Sequence, residues 1–409
     1  MNTKLSRETV IRDPIHEYIR IQDSIVLECI DTKEFQKLRR IHQLGGTYHV
    51  FPTGEHTRFS HSLGVYQIIR RMILEVDDVN KALTEREKLV MMLAGLLHDI
   101  GHGPFSHVFE SVTHLRHEEY SIKIIVGDSD VNKVLNSYDP TIAREIAQVI
   151  QKIHPNKLLN QMLSSEFDAD RMDYLLRDSY FTGTTYGQYD IERILRTIRV
   201  IDQKLVIKES GVHSIENYIM ARYHMYWQVY YHPTSRSYEI LLTNIFKRAK
   251  KLSKSDSTYL DKYPMFKAIF EEREMTLEEY YFLDESSCLY GFLLMSKDED
   301  EILSDLSKRL FSRNLFGYTE NTEDKYRKIE SILTKKGYDS KYYLRSDKTT
   351  KRPYRPYYKD KEDVIWILTK DNQVKEISEV SVIVKALAYS EEKEDSLLFY
   401  PKEIEEELK

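Results

Sequence analysis

LLHDIGHGPFSH, Leu96–His107, is the stretch on which the fold reading turns. It begins as the end of an apolar helix and runs into Gly101, Gly103 and Pro104, which terminate that helix. Upstream, Thr84 and Glu87 form a capping-box pair, and Leu89, Met92, Leu93, Leu96 and Leu97 follow i, i+3, i+4, i+7, i+8. The spacing predicts a helix over 84–97 that delivers His98 and Asp99 at its C-terminal end. Adjacent His and Asp supply one nitrogen and one oxygen to a divalent metal, and the glycines beside them let a ligand approach the backbone. On its own, His98 reads first as a helix-terminal histidine satisfied by a cap.

Composition narrows the choice. The chain has 409 residues, 41% hydrophobic and 31% charged, with 14 His but only 2 Cys. Cys29 and Cys288 form no CxxC, which argues against zinc fingers, iron–sulfur clusters and a disulfide framework. Any metal must therefore be held by imidazole and carboxylate, and nine of the histidines fall between His42 and His117. Net charge is −6, which disfavours general nucleic-acid coating. The longest apolar run, Leu89–Leu97, is about half the ~18 residues that a membrane span needs. The N-terminus MNTKLSRETVIRD lacks the apolar core of a signal peptide, so a reduced, cytoplasmic setting is expected.

The wider pattern is mainly α. VIRDPIHEYIRI, 10–21, alternates as two strands around Pro14, and helical periodicity dominates from about Thr32 to Arg248. KLVIKESGV suggests a hairpin near 204–214, and the Lys/Ser-rich 247–264 reads as a boundary or surface connector. Residues 273–336 look helical. Asp363–Thr369 and Gln373–Ile377 read as strands joined at Asp371-Asn372, followed by a helix from about Glu379 to Ala388 capped by Ser378.

Two further segments support a site at His98-Asp99. HTRFSHSLGV places His61 three residues after Arg58, and SSEFDADRMDYLLRDS puts Asp170, Tyr174, Arg177 and Asp178 at i, i+4, i+7, i+8. The order His61, His98-Asp99, Asp170 resembles the H…HD…D pattern of the HD phosphohydrolase superfamily. FQKLRRIHQLGGTYHVFPTGEHTRFSHSLGV (35–65), DPIH (13–16), HDIGHGPFSH (98–107), HE (117–118) and DADRMDYLLRD (168–178) are similar to the HD-domain deoxynucleoside triphosphate triphosphohydrolases, vertebrate SAM-and-HD-domain and bacterial branches alike. The likeness covers roughly residues 8–250 well and extends more loosely to about 320, and no SAM domain is expected before it.

The resemblance implies an HD-domain helical core over residues 1–250 and a smaller C-terminal α+β lobe over 251–409, the latter for oligomerisation or regulation. It implies hydrolysis of dNTPs to deoxynucleoside and inorganic triphosphate. One divalent metal per site (Mn, Mg, Fe, Zn or Ni) would sit on His61, His98, Asp99 and Asp170, with a further Mg accompanying the nucleotide. His102, His107, Glu110 and His117 would form the catalytic edge, His117 moving protons with Glu110 as its orienter; His107 serves equally as a structural partner. Arg58, Arg171 and Arg222 would contact phosphates, Arg171 replacing a family lysine. Gln43, Leu44, Tyr174 and Asp178 would hold the sugar, and Tyr226, Tyr230 and Tyr231 the base. As a stripe, Arg222, Tyr226 and Tyr230 also read as helix core with a snorkelling arginine.

By the same likeness, Val10, Asp31, Gln36, Arg39 and Arg313 match a regulatory site for dGTP or GTP, although Gly317 stands where the family has a lysine. A nucleotide-activated homotetramer is the expectation, with no membrane and no nucleic-acid partner. The run KTTKRPYRPYYK, 348–359, would hold an activator phosphate or form a solvated loop. Two other functions compete with this reading. One is an HD phosphodiesterase or pyrophosphohydrolase of a signalling nucleotide, which the extended HQLGG and RMDYLLRD motifs disfavour. The other is a nucleic-acid-binding regulator with a vestigial metal site, which the intact H…HD…D set and acidic charge disfavour.

Overall fold

The structure is a computed structural model that describes residues 4–105, 107–113, 116–351, 354, 364–391 and 393–408, without the side chains of His107, Ser257, Lys351 and Lys393. Strands β1 (Lys4–Asp13) and β2 (Glu17–Asp23) form an antiparallel ribbon. Its corner is held by the Asp13 carboxylate, which accepts the Ile15 and His16 N–H groups at 2.9 Å each. Helices α1 (Arg58–Glu75), α2 (Glu85–Leu97), α3 (His107–Thr113), α4 (His117–Val126) and α5 (Ala169–Thr182) then carry the H…HD…D residues. Helix α2 begins with the anticipated capping box, Thr84 and Glu87 bonding each other's backbone. Helix α5 starts at Asp168, whose carboxylate accepts the Arg171 N–H, and ends at Gly183 with φ +70°, a left-handed stop that glycine adopts without strain.

Downstream come β3 (Ile198–Ile201), β4 (Lys204–Lys208), α6 (Val212–Met225), α7 (Pro233–Ser255), α8 (Leu277–Phe282) and α9 (Glu285–Met295). The C-terminal strands are β5 (Gly317–Glu320), β6 (Arg345–Lys351), β7 (Trp366–Leu368), β8 (Val374–Glu376) and β9 (Lys393–Tyr400). They build two sheets, β3-β4-β7-β8 and β5-β9-β6, so helix dominates as expected.

Three local expectations shift. The hairpin turns at Asp202-Gln203, both with positive φ, and not within 204–214, because Glu209–Gly211 already winds into α6. The stretch 247–264 is no connector. Its first part continues α7, whose Leu241, Leu242, Ile245, Phe246 and Ala249 are buried at helical spacing behind a lysine-rich outer face. The expected helix at 379–388 breaks at Ser381, which caps a second short helix, Val382–Ala388.

Apolar side chains gather into two cores. The first joins β2, α1, α2, α4, α5 and α6 with Ile365, Ile367 and Ile377 from the C-terminal segment. The second joins α7, α8, α9 and the β5-β9-β6 sheet, and it takes in Phe105, Val108, Phe109 and Tyr120 from the segment around α3 and α4. Packing therefore crosses residue 250 in both directions. The HDIGHGPFSH loop lies at the seam, where Tyr120 stacks on Tyr280 of α8 at 3.8 Å between ring centroids. Such a pair contributes about 0.5–1.5 kcal/mol beyond its buried area.

Candidate functional site

His61 is on α1 and fully buried, and His98 caps α2. Asp99 follows it, and Asp170 sits in the first turn of α5. Their ligand atoms converge. His61 Nε2 lies 3.1 Å from Asp170 Oδ1 and 3.8 Å from Asp99 Oδ2. His98 Nε2 lies 3.3 Å from Asp99 Oδ1 and 3.7 Å from Asp170 Oδ1.

The other nitrogen of each imidazole is committed elsewhere. His61 Nδ1 is 2.8 Å from Asp173 Oδ2, and His98 Nδ1 is 2.9 Å from the Gly95 carbonyl. Each Nδ1–H donates outward, which turns each Nε2 toward the carboxylates. Both Nε2 atoms are buried and make no hydrogen bond among the described residues. Burial opposes charge on His61, yet Asp170 and Asp173 raise its pKa to about 10. Burial likewise opposes ionisation of Asp170, but the facing His61 and His98 imidazoles pull it below the usual carboxylate range. Two acids and two outward-tied imidazoles thus call for positive charge at their centre, and a divalent cation fits that donor set.

Behind the ligands stands a network that sequence reasoning missed. Asp173 accepts from His61, from His16 Nε2 at 2.7 Å and from Arg177 Nε at 2.8 Å. Arg177 also reaches Asp13 and is fully buried, so it supports the site from the rear. Gly64 makes room for this: a Cβ there would meet Asp173 Oδ1 at 1.9 Å. The Asp173/Arg177 spacing of four residues and the DPIH motif were the available signals.

Arg58 donates to Asp99 Oδ2 at 2.5 Å. His102 is buried, 3.3 Å from Asp99 Oδ1, and stacks on His117 at 3.8 Å. Burial and the neighbouring Arg58 hold His102 well below the usual imidazole range, so it is neutral. Glu110 accepts the His117 backbone N–H at 3.0 Å and makes a short bond to its Nδ1. The extra methylene of Glu110 thus does not prevent that pairing. His107 belongs to α3, but its side chain lies outside the described residues.

The residues matched to substrate contacts fall into separate groups. The His42↔Thr57 bridge sets HQLGG beside Arg58, and Gln43 Oε1 is buried without a hydrogen bond among the described residues. Leu44 packs on the first core. Asp178 is already engaged, by His56 Nε2 at 2.8 Å and by the Tyr230 hydroxyl at 2.7 Å. Tyr174 meets Tyr230 edge-on at 6.2 Å, and Tyr226 contacts Tyr230 and Tyr231 at 5.3 and 5.5 Å. Helix α6 widens into a π turn at Tyr226–Tyr230, closed by Tyr231 N–H on the Tyr226 carbonyl at 2.8 Å. This extra residue per turn alters the stripe that the 3.6 spacing implied. Arg171 and Arg222 both meet Glu166, which sequence reasoning did not single out.

The residues matched to regulation divide. Gln36 Nε2 donates to the Ile30 carbonyl, and Arg39 Nε donates to Gln36 Oε1 at 2.8 Å on an exposed face that includes Asp31. Val10 is exposed on β1. Arg313 instead donates to the His49 carbonyl at 2.8 Å. Among the described residues, none of its hydrogen bonds reaches Asp31, Gln36 or Arg39. Most of 348–359 lies outside the described residues; Tyr354 is buried and donates to Glu376 at 2.6 Å.

The second core grips the site from α8 and α9. Tyr280 donates to the Gly101 carbonyl at 2.5 Å. Glu285 accepts the His42 N–H at 3.0 Å and the Phe105 N–H at 3.3 Å, and bonds His42 Nδ1. The Glu285 bond raises the His42 pKa above its ordinary value of 6.5. Stability from this pair is therefore complete below the unfolded pKa and is lost as pH rises through the folded one. His42→Gln should cost about 1 kcal/mol at pH 6 and less at pH 9. Urea titrations at both pH values check this.

One histidine, a His-Asp pair and a distant aspartate on a helical scaffold define an HD-type hydrolase centre. The chain belongs to the HD-domain phosphohydrolase family: the HD domain matches residues 58–178 and the HD associated region 189–264. It is 46% identical over 413 residues to the uncharacterized protein YwfO of Bacillus subtilis, covering 98% of this chain and 94% of that one. The human deoxynucleoside triphosphate triphosphohydrolase SAMHD1 is 28% identical over 77% of this chain, which spans 55% of the human protein. The crystal structure of a Bacteroides thetaiotaomicron phosphohydrolase superimposes with a TM-score of 0.83 at 30% identity, covering 97% of this chain and all of that one. Among the described residues no helix is long and apolar enough to cross a membrane.

Proposed function

We propose that this protein hydrolyses dNTPs to deoxynucleoside and inorganic triphosphate. The carrying observation is the converging His61/His98/Asp99/Asp170 donor set, with Arg58 bonded to Asp99 and the stacked His102 and His117 beside it. Similarity to SAMHD1 supports the substrate class.

His61, His98, Asp99 and Asp170 would hold one divalent ion. When bound, it supplies Lewis-acid polarisation of a phosphoryl oxygen and lowers the pKa of water. The chain's own residues do the rest. Arg58 steadies Asp99 and faces the α-phosphate, and Arg171 and Arg222 bind the outer phosphates. With Nδ1 tied to Glu110, His117 keeps Nε2 to protonate the departing 5′-oxygen, and the carboxylate stabilises the imidazolium that precedes transfer. Neutral His102 stacks on that ring and limits its rotation. Gln43, Leu44, Tyr174 and Asp178 orient the sugar, and Tyr226, Tyr230 and Tyr231 wall the base.

Regulation forms part of the same reading. The exposed Asp31/Gln36/Arg39 face, with Val10 and with Arg313 of a neighbouring copy, would take dGTP or GTP and drive assembly of a cytoplasmic homotetramer through residues 251–409. The test is incubation with Mn²⁺ or Mg²⁺ and each dNTP, alone and in pairs, with products resolved by anion exchange. Deoxynucleoside plus triphosphate is the expected outcome. Monophosphate, diphosphate or no product refutes it. Indifference of sedimentation and rate to added dGTP or GTP refutes activation.

A further inference from the structure

Arg171 of α5 and Arg222 of α6 come from different helices and meet at a single carboxylate. Arg222 Nη2 lies 2.6 Å from Glu166 Oε2, and Arg171 Nη1 lies 3.3 Å from Oε1. The Glu166 backbone is tethered, its carbonyl accepting from the Tyr218 hydroxyl at 3.3 Å and from Arg222 Nη1 at 3.5 Å. Its side chain keeps 23% of its surface exposed, whereas that of Arg222 keeps 7%. A guanidinium buried to that degree is costly without an anion. Glu166 supplies one while no ligand is present.

A phosphate group brings the same charge and the same affinity for the guanidinium fork. Carboxylate and phosphate cannot both occupy the point where two arginines converge, because like charges a few ångströms apart repel. The pairing is ionic at both ends: Arg171 Nη1 and Glu166 Oε2 each stand at ion-pair distance from their partner without hydrogen-bond geometry. The neighbouring acid, Asp168, is the wrong candidate for movement. Its carboxylate caps α5, accepting the Arg171 and Ser165 N–H groups at 2.7 Å each.

We propose that Glu166 is a built-in competitor for the phosphate subsite: its carboxylate holds Arg171 and Arg222 in the free protein and gives way toward solvent when an oligophosphate binds. It thereby sets the affinity of the site for that ligand class. The inference rests on reading Arg171 and Arg222 as phosphate contacts. A competitor of this kind opposes ground state and transition state alike, so its effect falls on KM.

Isothermal titration of the full-length, Mn²⁺-loaded protein with inorganic triphosphate tests it. Glu166→Gln and Glu166→Ser should each bind triphosphate about tenfold tighter than the wild type. KM for dNTP should fall in parallel. Equal or weaker binding by both variants overturns the proposal and makes Glu166 an organiser of the two arginines. Arg222→Ala should weaken triphosphate binding. If it does not, the phosphate subsite is elsewhere and the proposal falls with it. Diphosphate or monophosphate products from the wild type would refute the proposed reaction without touching these binding results.

Discussion

Asp170→Ala should lose its bound divalent metal and at least about 10³-fold in turnover, roughly 4 kcal/mol, while keeping its helical fold. Asp170 is the candidate ligand most remote in sequence from the histidine cluster. It reaches His61 Nε2 at 3.1 Å and His98 Nε2 at 3.7 Å because Asp168 caps α5 and sets Asp170 in its first turn. Its side chain retains 36% of its surface exposed, so truncation opens no deep cavity and removes no core packing. What disappears is one of two anionic charges in a four-residue donor set. Metal content by plasma mass spectrometry and far-ultraviolet circular dichroism separate the two effects. Full metal occupancy with more than a tenth of the turnover would contradict the ligand assignment.

Asp173→Ala should be the most destabilising single change near the site, by about 3–5 kcal/mol. Asp173 is fully buried and accepts from His16, His61 and Arg177 together. Removing it leaves the buried Arg177 guanidinium with Asp13 and strips His61 of the bond that turns its Nε2 inward. Any folded fraction should bind metal about 10–100-fold more weakly, the usual effect of losing a partner behind a ligand. Urea unfolding and metal titration measure the two consequences. Asp173→Asn, which retains one acceptor, should lie between the wild type and Asp173→Ala. Wild-type stability in Asp173→Ala would remove the supporting network from the account.

The residues that carry the site were readable because local rules and chemistry agree on them. Thr84, Glu87 and the apolar spacing of α2 locate His98-Asp99 at a helix end, and Gly101 and Gly103 mark where the chain must turn. Asp170 was readable through its place in a longer motif. The second layer was not, because each partner comes from a distant segment. His16 meets Asp173, His56 meets Asp178 and Glu285 meets His42 only once the chain has folded. Helix α7 was misread from its lysines, since charge on one face conceals an apolar stripe on the other. The π turn at 226–230 has no periodicity signal; it appears when one residue is inserted into the helical register. Glu166 was invisible for a different reason. Its meaning depends on two arginines 5 and 56 residues away converging on one point.

Hydrolysis of a dNTP in ¹⁸O-labelled water tests the central claim most directly. If this site directs water to the α-phosphorus and His117 protonates the departing 5′-oxygen, one label enters the inorganic triphosphate and the deoxynucleoside stays unlabelled. Label in a deoxynucleoside phosphate, in pyrophosphate or in the deoxynucleoside itself would contradict that account.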